Sequence, residues 1–192
     1  MRDTDICDSR SSMTTCHIFI ATSLDGFIAR PNGNIDWLEQ WPVVSHDYGY
    51  KKFIDSVDGL IMGRGTFEKV LSFEVWPYEK PVVVMSRTLR QDNLPASLSS
   101  KVRFSQAKPA DIQRDVDRDG RKRAYIDGGR LIQSFLREGL IEDLILTRIP
   151  ILLGSGLPLF GALHREMRLT HLATEAYDSG FVQSHYEVSR ER

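Results

Sequence analysis

Three short stretches join an apolar run to glycine, hydroxyl and guanidinium groups, a combination suited to holding phosphate. In "MGRGTFE" (62–68), Gly63 closes the run, Arg64 is cationic, and Gly65 with Thr66 opens a helical pattern. Free backbone N–H groups at a helix start, a hydroxyl and a guanidinium together form an anion site. Helix-end placement contributes only ~0.3–1 kcal/mol per charge, so Arg64 and Thr66 must supply the rest. The same residues would also serve as a glycine turn with a threonine cap. "MSRT" (85–88) follows an apolar "PVVV" and offers Ser86, Arg87 and Thr88, which suit either a phosphate monoester or a plain polar turn. In "RAYIDGGRLIQSFL" (123–136), Asp127, Gly128 and Gly129 separate a short apolar run from Leu131, Ile132, Phe135 and Leu136 at helical spacing. A diglycine costs backbone entropy. Here it is expected to let the chain lie directly against a pyrophosphate.

Other chemistries lack their motifs. No G-x-G-x-x-G, G-K-[ST] or H-E-x-x-H occurs, and the five histidines are scattered. Cys7 and Cys16 are the only cysteines and do not have zinc-type spacing, so no metal site is expected and a reducing, cytoplasmic setting is. The formal charge of −1 argues against nucleic acid as the main partner, and Arg121-Lys122-Arg123 is too short a run for a binding stripe. No stretch reaches the ~18 apolar residues of a membrane span.

The elements that must position these groups alternate along the chain. Strands are expected at 16–23, 59–63, 80–86, 101–105, at the start of the diglycine stretch, and at 142–151. Helices are expected at 46–57, 65–73 and 109–118 and after the diglycine, with a long loop at 24–37. "MRLTHLATEAY" and "FVQSHYEV" alternate like an antiparallel pair joined by "DSG". The strands at 59–63 and 80–86 are apolar throughout, as in sheets covered on both faces. The expectation is an α/β, three-layer domain with a mainly parallel central sheet, helices on both faces and a C-terminal antiparallel strand pair. With 192 residues and 41% hydrophobic content, one domain (16–192) is expected behind a disordered polar leader (1–15). The leader has no apolar core of a signal peptide, and Met13 is an alternative start.

Taken together, "SLDGFIA" (23–29), "DGLIMGRGTFE" (58–68), "VVMSRT" (83–88), "YIDGGRLIQSFL" (125–136) and "LTRIPILLGSGLPLF" (146–160) carry a resemblance. From about Cys16 to Val188 the chain resembles the dihydrofolate reductase-like superfamily. It is most similar to the reductase domain of the bifunctional riboflavin-pathway deaminase-reductase and its stand-alone relatives. The resemblance implies NADPH as cofactor. Asp127, Gly128, Gly129, Arg130 and Leu131 would line its pyrophosphate, and Gly63, Arg64, Gly65 and Thr66 would hold phosphates from the other side. Ser86, Arg87 and Thr88 would face the adenosine 2′-phosphate, and Ala21 and Ile28 the nicotinamide carboxamide. It also implies a homodimer. The deaminase's zinc motif (H-x-E with P-C-x-x-C) is absent.

Reduction of a C=N or C=O bond also needs a proton. The resemblance points to a carboxylate early in the helix after the first loop; Asp47 is the nearest counterpart and Asp36 a second candidate. Each would equally serve as a turn or helix-start acid. On the substrate side the resemblance implies Thr147, Trp37, Leu153 and Gly154, with Asp25 a further candidate that could instead fix its own turn. Gly154 and Gly156 would also suit a tight strand crossing. Arg30, Lys51, Lys52 and Arg148 are available for a phosphorylated substrate. The leading expectation is an NADPH-dependent reductase of a pyrimidine or pterin-like heterocycle. The alternatives are a dihydrofolate reductase and an NADPH-binding sensor without turnover, the last favoured if no working carboxylate exists.

Overall fold

Apolar residues on alternate sides of the central strands drive a sheet buried on both faces. On β3 (Gly59–Gly63), Ile61 packs to one side while Leu60 and Met62 pack to the other. The computed structural model describes residues 13–41 and 47–189. Its main sheet has the order β5-β4-β3-β6-β1-β7-β10-β9, with β4 at Val82–Met85, β5 at Val102–Ser105, β6 at Arg123–Asp127 and β1 at Thr15–Ser23. The remaining strands are β7 (Ile141–Ile149), β9 (Leu169–Ala176) and β10 (Val182–Val188). Strands β5 to β7 are parallel, and β10 and β9 add on antiparallel.

Helices cover both faces. Ile112 and Val116 of α4 (Pro109–Arg118) and Leu131, Ile132, Phe135 and Leu136 of α5 (Gly129–Arg137) pack with Ile18, Ile61 and Ile126. Phe53 of α2 (Tyr50–Ser56) and Phe67 and Val70 of α3 (Arg64–Leu71) pack on the opposite face with Leu60, Met62 and Tyr125. The three-layer, mainly parallel fold expected from the sequence is the one observed. It is a dihydrofolate reductase-like architecture.

Several boundaries differ, each for a local reason. The strand expected from Cys16 starts at Thr15, and Thr14 is already buried. Its N–H donates to Asp117 (3.0 Å), and its carbonyl accepts from Gln113 (2.7 Å). The folded domain therefore includes the last residues assigned to the leader; residues 1–12, with Cys7, lie outside the described residues. The helix expected at 46–57 occupies only Tyr50–Ser56, because Tyr48 (φ 50°) and Gly49 (φ 79°) are left-handed and block its extension backwards. His46 lies outside the described residues.

The expected 24–37 loop contains a short strand, β2 (Phe27–Ala29), and a one-turn helix, α1 (Asp36–Glu39). Strand β2 pairs with β8 (Leu157–Pro158). A Cβ at Gly156 would sit 2.4 Å from the Ala29 carbonyl oxygen, so this glycine serves the tight crossing. Lys80 secures the far end of α2, its ammonium donating to the carbonyls of Ile54 (2.6 Å), Asp55 (2.9 Å) and Val57. Among the described residues no helix is long and apolar enough to cross a membrane.

Candidate functional site

The strand order places the three phosphate-suited stretches side by side. β4, β3 and β6 are neighbours, so 85–88, 63–66 and 127–131 emerge together at the carboxyl edge of the parallel sheet. In open α/β sheets this edge is where ligands bind. Helices α3 and α5 begin there, and neither start carries a side-chain cap. Two sets of first-turn N–H donors are thus left to a ligand or water. The starts also meet: a Cβ on Gly128 would fall 2.5 Å from Thr66 Oγ1 and 3.7 Å from the Gly63 nitrogen. Arg64 Nη1 donates to Thr88 Oγ1 across the strand ends (3.2 Å). Arg87 and Arg130 are exposed, with no partner among the described residues, while Gly65 has open space around it. An anionic, diphosphate-bearing cofactor fits this donor set.

The diglycine also has a cause within the protein. Its close neighbours are protein groups. Gly128 has φ 102° and faces Thr66, whereas a Cβ on Gly129 would meet Ile28 Cδ1 at 2.6 Å and the Pro158 carbonyl oxygen at 3.4 Å. The glycines let β6, α3 and the β2–β8 ribbon converge, which in turn brings Ile28 and Leu131 to the site. Ser86 likewise turns inward. Its hydroxyl accepts from the N–H groups of Thr88 (3.2 Å) and Leu89 (3.1 Å), which builds the turn and leaves Arg87 as the outward cation.

Neither expected catalytic carboxylate is built to carry a proton. Asp36 is exposed and accepts from Arg30 Nε at 2.7 Å, a bond that holds its carboxyl below the usual range. Asp47 accepts from the N–H groups of Lys51 (2.9 Å) and Gly49 (3.0 Å); these bonds lower it too and make it the cap of α2. The substrate-side expectations divide similarly. Asp25 takes a bond from Ser23 Oγ (2.6 Å) and the N–H groups of Leu153 (3.1 Å) and Gly154 (2.7 Å), which lower its pKa. It is a clip between two loops, with both oxygens occupied. Trp37 is buried against Ile149 and Phe181 as core rather than a pocket wall. Thr147 sits level with Ala21 on the adjoining strand, and its Oγ1 accepts from Gln183 Nε2 (2.9 Å).

A half-buried carboxyl at this edge is Asp127. It ends β6 two residues after Tyr125, so both side chains share the α2–α3 face of the sheet. Burial pushes its pKa up to about 6, with the Gly128 N–H and the Tyr125 hydroxyl opposing in part. The phenols of Tyr125, Tyr50 and Tyr78 on the same face are all raised, burial first and the Asp127 charge second. Such a carboxyl holds a proton at the threshold of neutral pH, as general acids require. Sequence reasoning places Asp127 only with the cofactor. The available clue is a carboxylate closing the short apolar run of Ala124, Tyr125 and Ile126. Among the described residues no group of three potential ligands could hold a metal.

Comparison with known proteins bears on the same region. The RibD C-terminal domain family matches residues 14–183. The chain belongs to that family. Two curated relatives from Bacillus subtilis (strain 168) are uncharacterised. YwjB is 35% identical over 175 residues, covering 88% of this chain and 95% of its own, and YyaP is 26% identical over 181 residues, covering 87% and 91%. The crystal structure of a putative riboflavin biosynthesis protein from Shewanella sp. PV-4 has a TM-score of 0.86 at 42% identity, covering 92% of this chain and all of that one. A diaminohydroxyphosphoribosylaminopyrimidine deaminase/5-amino-6-(5-phosphoribosylamino)uracil reductase from Thermotoga maritima has a TM-score of 0.73. At 13% identity, with 93% of this chain and 58% of that one covered, the second likeness speaks to fold alone. Membership of a RibD reductase-like family marks the chain as an oxidoreductase type.

Proposed function

We propose that this RibD C-terminal domain protein is an NADPH-dependent reductase that transfers hydride to a pyrimidine or pterin-like heterocycle, of the 5-amino-6-(5-phosphoribosylamino)uracil reductase type. The observation that carries this is the pair of uncapped helix starts meeting beside a half-buried carboxyl at one sheet edge. The first-turn N–H groups of α3 and α5, with Arg64 and Arg130, would hold the diphosphate, and Arg87 a 2′-phosphate. NADPH when bound supplies the hydride. The chain's part would be to deliver the proton, from Asp127 to the heteroatom of the substrate. The resulting carboxylate is then reprotonated from solvent.

The test is NADPH oxidation followed with the ribosylaminopyrimidine and with dihydrofolate. Turnover of the first is expected, and turnover of the second alone would replace the reading with a dihydrofolate reductase. A charge-assisted bond to a 2′-phosphate is worth about 1.5–3 kcal/mol. Arg87→Ala should therefore cut the preference for NADPH over NADH roughly ten- to a hundredfold in a calorimetric titration.

The same reading includes a cytoplasmic homodimer. All eight residues of the edge strand β9 are exposed, Leu169 and Leu172 among them, and the strand carries no lysine or proline to deter pairing. Sedimentation should give twice the 21.9 kDa chain mass. A concentration-independent monomer would refute the pairing.

A further inference from the structure

Gln183 of β10 lies directly opposite Thr147 of β7, and Thr147 is level with Ala21 of β1. Side chains alternate along a strand, and Phe19 and Ile145, two positions earlier, pack with the α2–α3 layer. Ala21, Thr147 and Gln183 therefore share the face of the sheet that carries Asp127. The sheet opens at this level. The partners of β1 on β6 stop at His17 and Tyr125, whereas those on β7 run to Ser23 and Ile149. Ala21 has a paired strand on one side only, which leaves a crevice at the carboxyl end of the parallel strands.

The Gln183 amide has its hydrogen bonds dictated by one neighbour. Its Nε2 lies 2.9 Å from the Tyr48 carbonyl oxygen and 2.9 Å from Thr147 Oγ1, and the Tyr177 hydroxyl reaches its Oε1 at 3.5 Å. A carbonyl oxygen only accepts, so the amide must turn its nitrogen to Tyr48. The second proton of that nitrogen goes to Thr147, whose oxygen accepts it. The Thr147 hydroxyl keeps its own proton, and among the described residues that proton has no acceptor. Thr147 is buried, so an unused donor there is costly, and a ligand bringing an acceptor relieves the cost. Tyr48 also gains from the contact. Its backbone is left-handed at φ 50°, a conformation that a bulky residue keeps only where its surroundings hold it.

We propose that Gln183 is a positioning residue for the substrate: by donating to both Tyr48 and Thr147 it fixes the Thr147 hydroxyl as a donor. The heterocycle must then turn an acceptor towards β7, a carbonyl oxygen or an unprotonated ring nitrogen. The substrate half of this rests on the proposed reductase, whereas the amide's arrangement belongs to the protein without ligands and is tested there first. In apo protein with 15N-labelled glutamine, both side-chain amide protons of Gln183 should exchange slowly with water. Thr147→Val should release one of them and leave the other held by Tyr48. In turnover of the ribosylaminopyrimidine, Gln183→Leu should raise KM for that substrate about tenfold, the value of one hydrogen bond, and move it more than kcat. The KM for NADPH should not follow. Thr147→Val should show the same split, the double variant should lose no more than either single one, and Thr147→Ser should rescue most of the loss.

Rapid exchange of both amide protons in wild type, or losses that multiply in the double variant, overturns the proposal. The exchange measurement uses wild type, so it decides the matter even if Gln183→Leu does not fold. Protected amide protons in a protein that oxidises no NADPH would uphold the hold of Gln183 on Thr147 and sink the reductase reading instead.

Discussion

Two aspartates near opposite ends of the central strands show what makes a carboxyl structural or reactive. Asp143, near the amino end of β7, accepts from His17 Nδ1 at 2.7 Å. His185 lies 3.6 Å away. Burial works against its charge, but the hydrogen bond and charge of His17, with His185 and Arg123, prevail and hold it below the usual range. Asp127, at the carboxyl end of β6, has no cation among the causes of its shift, and burial raises it. Desolvation acts on both, and the His17 hydrogen bond tips the outcome at Asp143. The first carboxyl is fixed as a charge that ties β1, β7 and β10 together. The second is raised by its burial, with no cation to oppose it.

Removing the reactive member should have the largest effect. Asp127→Asn keeps the size and loses the exchangeable proton, so turnover should fall roughly 10²–10⁴-fold, the usual contribution of a general acid. Steady-state NADPH oxidation measures this, and loss of less than tenfold would transfer the proton to another group. The structural member should show in stability instead. Asp143→Asn should lower unfolding free energy at pH 7 by about 2–3 kcal/mol, since a buried imidazole loses its charged partner. Denaturant melts read this directly. Turnover per folded molecule should be unchanged, and a loss there would break the contrast.

The smallest effect carries the sharpest sign. A carboxyl raised on folding, like Asp127, contributes stability that is full below its unfolded pKa of 3.8 and lost as pH rises through about 6. A lowered one, like Asp143, contributes stability above 3.8 that is lost as pH falls through its folded pKa. Asp127→Asn should therefore be more stable than wild type at pH 7.5, by on the order of 2 kcal/mol, and the gap should close towards pH 4. Paired melts across that range would refute the burial account if the gap stayed constant.

Much of the fold was legible because apolar runs and helical spacing report burial directly. Leu60, Ile61 and Met62 announce a strand covered on both faces, and Leu131, Ile132, Phe135 and Leu136 announce the inner face of α5. The phosphate-suited strand ends were legible through glycine and arginine, although strand order, which no residue states, was needed to bring them together. The roles of individual polar groups were not legible. Asp36 and Asp47 look like Asp127 in one dimension, and only the backbone N–H groups and Arg30 around them mark them as satisfied. Ser86 and Trp37 failed for the same reason: a hydroxyl bound to its own turn and an indole sealed in a core keep the composition of a site without its access.

The Asp25 clip has a mechanical consequence. It joins segments 128 and 129 positions apart in the chain through one side chain, and its partners are backbone amides that substitution at Leu153 or Gly154 does not remove. The β1–β2 turn and the loop after β7 are therefore geared together. Neither can swing outward without breaking the same pair of bonds. The Leu24 N–H, donating to the Ile151 carbonyl at 2.8 Å, ties the same two segments a second time.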